Sequence, residues 1–245
     1  MLKLELNRFF SLELIYFRVR ICQSIEFNYW QTILFSSGPI SYAMSPILLL
    51  IFSMLTAFAV TYLAIPNVLE VAHKKRLFDA PDARKVHSAA IPSLGGVGMY
   101  IGLMISLSIW VPENGFADLR LAMAAYLILF LMALKDDLVI VATPLKLLIQ
   151  IGVAGLLVYS GFRLTGFHGL LGWGEMPYWV SVGVSIFGIV GIMNAFNLID
   201  GVDGLAGGLG GITCLALGSF LFIYEIYAYA FLAFILTGTL LAFLR

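Results

Sequence analysis

The 245-residue chain has little charge, with 14 Lys and Arg residues, 14 Asp and Glu residues and 11% charged residues in all. A soluble domain usually carries about 25% charged residues. Hydrophobic residues instead make up 61% of the chain. This composition excludes an ordinary soluble domain and predicts a helical membrane protein, because helices satisfy their own backbone hydrogen bonds in lipid. The formal net charge is zero, so no nucleic-acid partner is expected.

Cysteine is also scarce, and several common site patterns are absent. Cys22 and Cys214 lie far apart in the chain, so no disulfide framework is expected. The sequence has no Walker loop, no dinucleotide fingerprint and no Cys/His zinc pattern. It also has no Gly-x-Ser-x-Gly motif, which argues against a serine hydrolase of that type.

Long apolar runs are abundant, and they begin just after Met44. They predict an all-α, polytopic membrane bundle of about seven transmembrane helices. Residues 1–43 differ, because charged residues interrupt every apolar run, and we interpret them as an interfacial helix or an upstream extension. Residues 44–245 then form the predicted transmembrane domain. Its apolar runs lie at 46–65, 94–111, 120–134, 145–161, 178–193, 204–223 and 226–243.

The distribution of Lys and Arg predicts the orientation of this bundle. If the chain crosses the membrane at each run, one face receives Arg120 and Arg163, apart from four basic residues in the N-terminal segment 1–43. The other face is richer in basic residues. By the positive-inside rule the richer face is cytoplasmic. The loops at 66–93, 135–144 and 194–204 would then share the cytoplasmic side. The basic residues on that face are Lys74, Lys75, Arg76, Arg84, Lys85, Lys135, Lys146 and Arg245.

The most polar of these loops is the stretch 194–204. It contains the carboxamides of Asn194 and Asn197 and the carboxylates of Asp200 and Asp203, with glycines such as Gly201 between them. Oxygen ligands and close backbone approach suit a hard cation or a phosphate. A polar turn between two helices is the simpler alternative.

A pair of carboxylates, Asp136 and Asp137, closes the third apolar run. Neighbouring helical residues point about 100° apart, so the two cannot face one ligand equally. We therefore expect one of them to contact a metal or a proton and the other to support it. A solubilising helix end is the alternative, although acids at a helix C-terminus oppose the macrodipole. Lys146 either faces a phosphate or snorkels to the interface.

The first loop carries Lys85 and His87, two residues apart, which would point the same way in an extended chain. These Lys and His donors would lie on the same membrane face as four aspartates, which suggests an anionic substrate. Positive-inside topology alone also explains basic residues in this loop. Aspartates, an Asn, a Lys and a His on one membrane surface fit Mg²⁺-assisted phosphoryl transfer. The nearby Gly95 and Gly96, and the glycines that follow Gly204, are predicted to serve helix packing.

Four motifs in order carry a family resemblance from about Met44 to the C-terminus. They are Lys85-x-His87, Ile91-Pro92-x-x-Gly95-Gly96, Asp136-Asp137 and the stretch from Asn194 to Gly204. Together they resemble the polyprenyl-phosphate N-acetylhexosamine-1-phosphate transferases of glycosyltransferase family 4, in particular the GlcNAc-1-phosphate branch. The resemblance implies transfer of a sugar-1-phosphate from a UDP-N-acetyl-sugar to undecaprenyl phosphate. It also implies that UMP is released and that the product initiates synthesis of a cell-envelope glycan.

The resemblance also implies roles for single residues. Asp136, Asp137 and Lys146 would be catalytic and handle the lipid phosphate. Mg²⁺, or Mn²⁺ in its place, would be bound by Asn197 and Asp200. The nucleotide pocket would be lined by Lys85, His87, Asp200, Gly201 and Asp203. The expected setting is the bacterial plasma membrane with a cytoplasmic site, membrane lipid around the protein and, as an option, a second copy in a homodimer.

The sequence departs from the family pattern after residue 245. The family usually has further spans there, with a Gly-Asp metal-binding motif and a His-rich loop, and this sequence contains neither. We therefore expect the transferase domain to be incomplete at its C-terminus, and an inactive remnant is one alternative. A cation- or proton-coupled transporter is another, because Gly-interrupted helices and intramembrane acids are typical of transporters too.

Overall fold

A computed structural model describes residues 45–75, 94–111, 113–139, 141–167, 174–201 and 204–245. These residues form seven α-helices and no multi-residue strand. The all-α prediction is therefore confirmed, with one helix for each predicted apolar run. The helices are α1 Pro46–Lys75, α2 Gly95–Trp110, α3 Glu113–Leu138, α4 Thr143–Tyr159, α5 Tyr178–Ile199, α6 Leu205–Ile223 and α7 Tyr227–Phe243.

The chain divides into two compact units. Apart from Ser45, the described part of the smaller unit lies within Gly166–Met176 and contains an isolated antiparallel bridge between Gly166 and Glu175. The larger unit, Pro46–Thr165 with Pro177–Arg245, contains all seven helices. The predicted boundary at residue 44 stays a prediction, since residues 1–44 lie outside the described part of the chain.

Length and composition make the larger unit a polytopic membrane bundle, as predicted. Three helices are long and apolar enough to cross a membrane, namely Pro46–Lys74 within α1, α5 and α6. The helices α2, α4 and α7 are apolar but shorter. Many large side chains are exposed on the surface of the bundle, including Phe187 and Trp179 on α5. Exposed apolar side chains on apolar helices fit a surface that faces lipid.

The packed core of the bundle lies between α1, α2 and α7. Small residues allow this close packing, because a methyl group added at Gly238 on α7 would clash with the backbone oxygen of Met54 on α1. Gly102 on α2 faces Thr61 on α1 in the same way. Helix α6 packs on α7 at the edge of this core. The buried apolar residues of the core are Leu50, Ala57, Leu103, Leu107, Val111, Leu119, Ala228, Ala230, Phe231 and Ile235.

The helices α3, α4 and α5 form an arm in which each helix packs mainly on the next. Few of its large side chains are buried, and a methyl group added at the α4 and α5 glycines, among them Gly152 and Gly188, would have no neighbouring group within 4 Å. Polar contacts join the segment that follows α4 to α5 at the far end of the pair. The Ser181 hydroxyl donates to the Leu164 carbonyl, and the Leu164 N–H donates to Ser185 Oγ at 2.8 Å.

A series of contacts brings six helix termini to one end of the bundle, called here the polar end. Phe243 on α7 lies against Gly95 at the start of α2, and Leu244 lies against Gly207 near the start of α6. Phe196 near the end of α5 approaches Gly210 on α6. The Lys146–Asp136 contact joins the start of α4 to the end of α3, and the Gln150–Asn194 contact joins α4 to the last turns of α5. The helix termini next to the stretches 66–93, 135–144 and 194–204 therefore meet at one end.

Three helices are longer than the sequence predicted. Helix α1 continues to Lys75, α3 runs from Glu113 to Leu138 and α5 continues to Ile199, so the placing of 66–75, 135–138 and 194–199 in loops was wrong. Beyond the apolar run, Asn194 donates to the carbonyl of Val190 one turn earlier at 2.8 Å, which is compatible with continued helix. The packing prediction for the glycines after Gly204 holds for Gly207 and Gly210, whereas Gly208 and Gly211 face open space.

Candidate functional site

The polar end is organised by an ion pair between Lys146 and Asp136. Lys146 Nζ, in the first turn of α4, donates to Asp136 Oδ2 in the last turn of α3 at 2.6 Å. The other carboxylate oxygen, Oδ1, accepts the backbone N–H of Val141 at 3.0 Å. Asp136 therefore closes the α3–α4 turn with both of its oxygens. The sequence pattern alone did not distinguish this arrangement from a snorkelling lysine.

This environment changes the acidity of Asp136. Partial burial by itself raises the pKa of the carboxyl. The hydrogen bonds from Lys146 and from the Val141 N–H, with attraction to the Lys146 ammonium, outweigh that effect and leave the pKa of Asp136 lower than usual. A carboxylate with a lowered pKa is a weaker base. Asp136 is therefore suited to holding Lys146 rather than to accepting a proton.

The neighbouring carboxylate, Asp137, is more exposed than Asp136. Its side chain points about 100° away around the helix. The two aspartates thus have different surroundings, as expected for adjacent helical residues. Asp137 is the carboxylate of the pair that a ligand at the polar end reaches more easily.

A second polar contact joins α4 to α5. Asn194 Nδ2 donates to Gln150 Oε1 at 3.0 Å and to the carbonyl of Val190 at 2.8 Å. Because the Val190 carbonyl can only accept a hydrogen bond, the atom of the Asn194 carboxamide that faces it must be the nitrogen. Gln150 is 8% exposed on a helix whose other faces are largely open. Both amide hydrogens of Asn194 are used, and its Oδ1 accepts no hydrogen bond from a described residue.

The Gln150–Asn194 contact sets the height of α5, meaning its position along the helix axis, relative to α4. Gln150 is one helical turn from Lys146, about 6 Å along the axis. Helix α4 begins at the polar end and α5 ends there, so the pair is antiparallel. Moving one turn from Asn194 towards the polar end leads to Asn197 and Leu198. Asn197 therefore lies at about the height of the Lys146–Asp136 pair.

Three further predicted site residues follow at the end of α5. Asn197 and Asp200 are exposed and one turn apart, and Asp200 caps the helix by donating its N–H to the Phe196 carbonyl at 3.1 Å. Gly201 is exposed in the turn that follows. Gly204, with φ +72, precedes α6 as its N-terminal cap, in the left-handed conformation that glycine adopts without strain. The last turn of α5 and its cap therefore carry side chains with oxygen atoms.

The fit of Mg²⁺ to these residues is only partial. Carboxylate and carboxamide oxygens are suitable ligands, and Asn197 and Asp200 supply both. Within the described ranges, no group of three or more His, Cys, Asp or Glu residues lies close enough to hold a metal ion. The described residues therefore offer part of a coordination shell.

Three predicted site residues lie outside the described residues, namely Lys85, His87 and Asp203. Their roles stay predictions. An apolar cavity of about 250 Å³ lies at the opposite end of the bundle, between α1, α6 and α7, and does not coincide with the polar residues. It is lined by Ile47, Leu50, Ile51, Ser219, Phe222, Ile223 and Phe234.

Sequence reasoning missed Gln150. A signal was present, because Gln150 interrupts an apolar run and lies four residues after Lys146, on the same face of α4. A polar side chain inside an apolar span usually has a partner or a function. Its partner, Asn194, was part of the polar stretch but was given no role of its own.

Two comparisons with known proteins identify the family of the chain. Residues 119–245, more than half of the chain and including every described site residue, match the family model for glycosyl transferase family 4. The chain is also 32% identical over 120 residues to a protein of Bacillus subtilis (strain 168) named probable undecaprenyl-phosphate N-acetylglucosaminyl 1-phosphate transferase. That match covers 48% of this chain and 31% of the relative, so the chain spans about a third of the relative's length. By the family match over more than half of its length, this chain belongs to glycosyl transferase family 4.

Proposed function

We propose that the protein transfers N-acetylglucosamine-1-phosphate from UDP-GlcNAc to undecaprenyl phosphate in the bacterial plasma membrane. A phosphate oxygen of the lipid attacks the phosphorus that carries the sugar. The bond from that phosphorus to the oxygen of UMP breaks, UMP leaves, and a lipid diphosphate sugar remains in the membrane. The name of the Bacillus subtilis relative supports this choice of sugar and acceptor.

The observation that supports the proposal best is that two groups of polar residues lie at the same level along the helix axes, at the polar end. Asp136, Asp137 and Lys146 belong to α3 and α4, whereas Asn197 and Asp200 belong to α5 and its C-terminal cap. The 2.6 Å ion pair and the 3.0 Å Gln150–Asn194 hydrogen bond bring these groups to the same end. A phosphoryl transfer needs an acceptor and a donor held side by side, because positioning supplies much of the catalysis.

Each group then has a proposed task. Lys146 has three N–H donors and uses one on Asp136, so the others are available to an acceptor phosphate. If the lipid phosphate must lose a proton, Asp137 accepts it, because Asp136 is stabilised as the charged form. Asn197 and Asp200 would hold Mg²⁺, which neutralises charge on the diphosphate when bound. Lys85, His87, Gly201 and Asp203 would line the nucleotide pocket on the cytoplasmic side.

The transporter alternative lacks its expected arrangement. The acidic residues Asp136, Asp137 and Asp200 lie at helix ends, and the described parts of the apolar spans place no acid near their middle. A coupled transporter would need such an acid near the bilayer midplane. The arrangement therefore favours chemistry at the membrane surface.

The test measures UMP release and lipid-linked sugar in membranes containing the full chain, supplied with UDP-GlcNAc and undecaprenyl phosphate. We expect Asp137→Asn to lower transfer on the order of a hundredfold or more, as loss of a general base does. Glu70→Gln is the matched control, because Glu70 is an exposed acid paired with Lys74 on α1, outside the site. Chelation of divalent ions should stop transfer, and added Mg²⁺ or Mn²⁺ should restore it. Uptake of substrate without UMP release would support a transporter instead.

A further inference from the structure

We propose that Gln150 is a positioning residue for the transfer reaction, acting through Asn194. The proposal rests on the function proposed above and adds to it a residue outside the predicted site. Gln150 neither touches Asp136 nor belongs to the polar stretch at 194–204. It contributes the hydrogen bond that joins α4 to the segment carrying Asn197 and Asp200.

The first argument comes from burial and environment. Gln150 is nearly buried, whereas its neighbours on α4, Leu147, Leu148 and Ile151, are exposed. A hydrogen bond between helices in lipid is worth about 0.6 kcal/mol on average. The α4–α5 pair already has polar contacts at its far end, through Ser181 and Ser185. A bond of this size at the polar end therefore adds little to the free energy of unfolding. Its main effect is on the position of α5 relative to α4.

The second argument comes from the geometry of the amide. Val190 and Gln150 use both hydrogens of Asn194 Nδ2, so the carboxamide has one orientation. Its Oδ1 is then presented in a fixed direction. Without Gln150, the carboxamide keeps only the bond to its own helix, and it no longer ties α5 to the position of α4.

The third argument concerns the height of the two helices. Because α4 and α5 are antiparallel, the Gln150–Asn194 bond places Asn197 level with Lys146. A shift of α5 by one residue would move Asn197 by about 1.5 Å along the axis. Displacement of about 1 Å at a reacting centre can lower a rate on the order of a hundredfold. Each substrate can still bind its own group, so the loss falls on kcat rather than on KM.

The first experiment is a double-mutant cycle between Gln150→Leu and Asn194→Ala, measured as transfer in membranes containing the full chain. We expect Gln150→Leu to lower kcat on the order of tenfold to a hundredfold with little change in KM. In the Asn194→Ala background, the same substitution should have almost no further effect, because its partner is gone. Gln150→Glu, which keeps an acceptor oxygen at this position, should recover part of the activity.

Ser185→Ala is the matched control, because Ser185 on α5 accepts a hydrogen bond from the segment that follows α4, at the other end of the pair. If Ser185→Ala lowers kcat as much as Gln150→Leu does, Gln150 only holds helices together and the proposal is wrong. Independent, additive effects of Gln150→Leu and Asn194→Ala would overturn it as well.

A second measurement tests the bond without relying on activity. In protein labelled with ¹⁵N-asparagine, the side-chain NH₂ signal of Asn194, assigned by its loss in Asn194→Ala, should shift in Gln150→Leu and stay in place in Ser185→Ala. An unchanged signal in Gln150→Leu overturns the proposal. If the wild-type protein releases no UMP, the proposed function fails, and the amide signal still decides whether Gln150 holds Asn194.

Discussion

The core of α1, α2 and α7 and the arm of α3, α4 and α5 are both apolar in sequence, but they are held together differently. In the core, glycines face neighbouring helices so closely that a methyl group at Gly238 would meet the backbone of α1. In the arm, glycines such as Gly188 face open space, and polar side chains join the helices. Close packing thus stabilises one region, and a few directional bonds position the other.

This difference fits the proposed chemistry. Directional bonds at Asp136, Lys146, Gln150 and Asn194 all lie towards the polar end of the arm, where the candidate site is. The core cluster lies in the half of the bundle away from that end. Rigid packing in the core provides a support, and the polar bonds determine where the reactive side chains lie on it.

The largest expected effect on stability comes from filling a core glycine. Gly238→Ala should destabilise the protein by about 1–3 kcal/mol, because the added methyl group displaces backbone rather than a flexible side chain. Gly188→Ala on α5 is the matched control and should have little effect. Thermal unfolding in one detergent measures both variants. Equal losses would mean that core and arm are packed alike.

The turn between α6 and α7 offers a gain in stability within the core region. Glu225 has φ 62, the left-handed conformation that costs residues with a side chain about 1–2 kcal/mol. Glu225→Gly should therefore raise the unfolding free energy by up to about 1 kcal/mol, less the entropy that glycine loses on folding. Glu225→Ala removes the same carboxylate but keeps the strain, so it should give no comparable gain. Chemical denaturation of the three proteins tests this.

Loss of the ion pair should affect the arm locally. Lys146→Met should cost about 0.5 kcal/mol overall, as expected for a partly exposed pair. Amide hydrogen exchange should rise in the α3–α4 turn and remain unchanged in α1, α2 and α7. Lys135→Met is the control, since Lys135 is exposed and forms no ion pair with a described residue. Faster exchange throughout the core would contradict the separation of the two regions.

The smallest effect concerns pH. The pKa of Asp136 is lower in the folded protein than its ordinary value of about 3.9, so the folded state binds fewer protons there. Its stabilising contribution is complete above the ordinary carboxyl pKa and is lost as pH falls through the folded pKa. The difference in melting temperature between wild type and Asp136→Asn should therefore shrink below about pH 4. A difference that grows on acidification would mean that the pKa is raised instead.

Much of the fold follows from the sequence. Low charge and seven apolar runs predicted the helices, because any backbone in lipid must satisfy its own hydrogen bonds. The residue types at Asp136, Asp137, Lys146, Asn197 and Asp200 indicated phosphate and cation chemistry. The sequence could not give the ends of α1, α3 and α5, because water-exposed polar turns can continue a helix once packing supports it.

The sequence by itself determined that the chain is helical, that it belongs in a membrane and which oxygen- and nitrogen-bearing side chains are available, since these depend on composition and local spacing. Only the tertiary structure decided that Asp136 is held by Lys146 and that Gln150 bonds Asn194 across 44 residues of chain. Helical periodicity gives the face of a residue on its own helix. The height and rotation of one helix against another come only from the contacts between them.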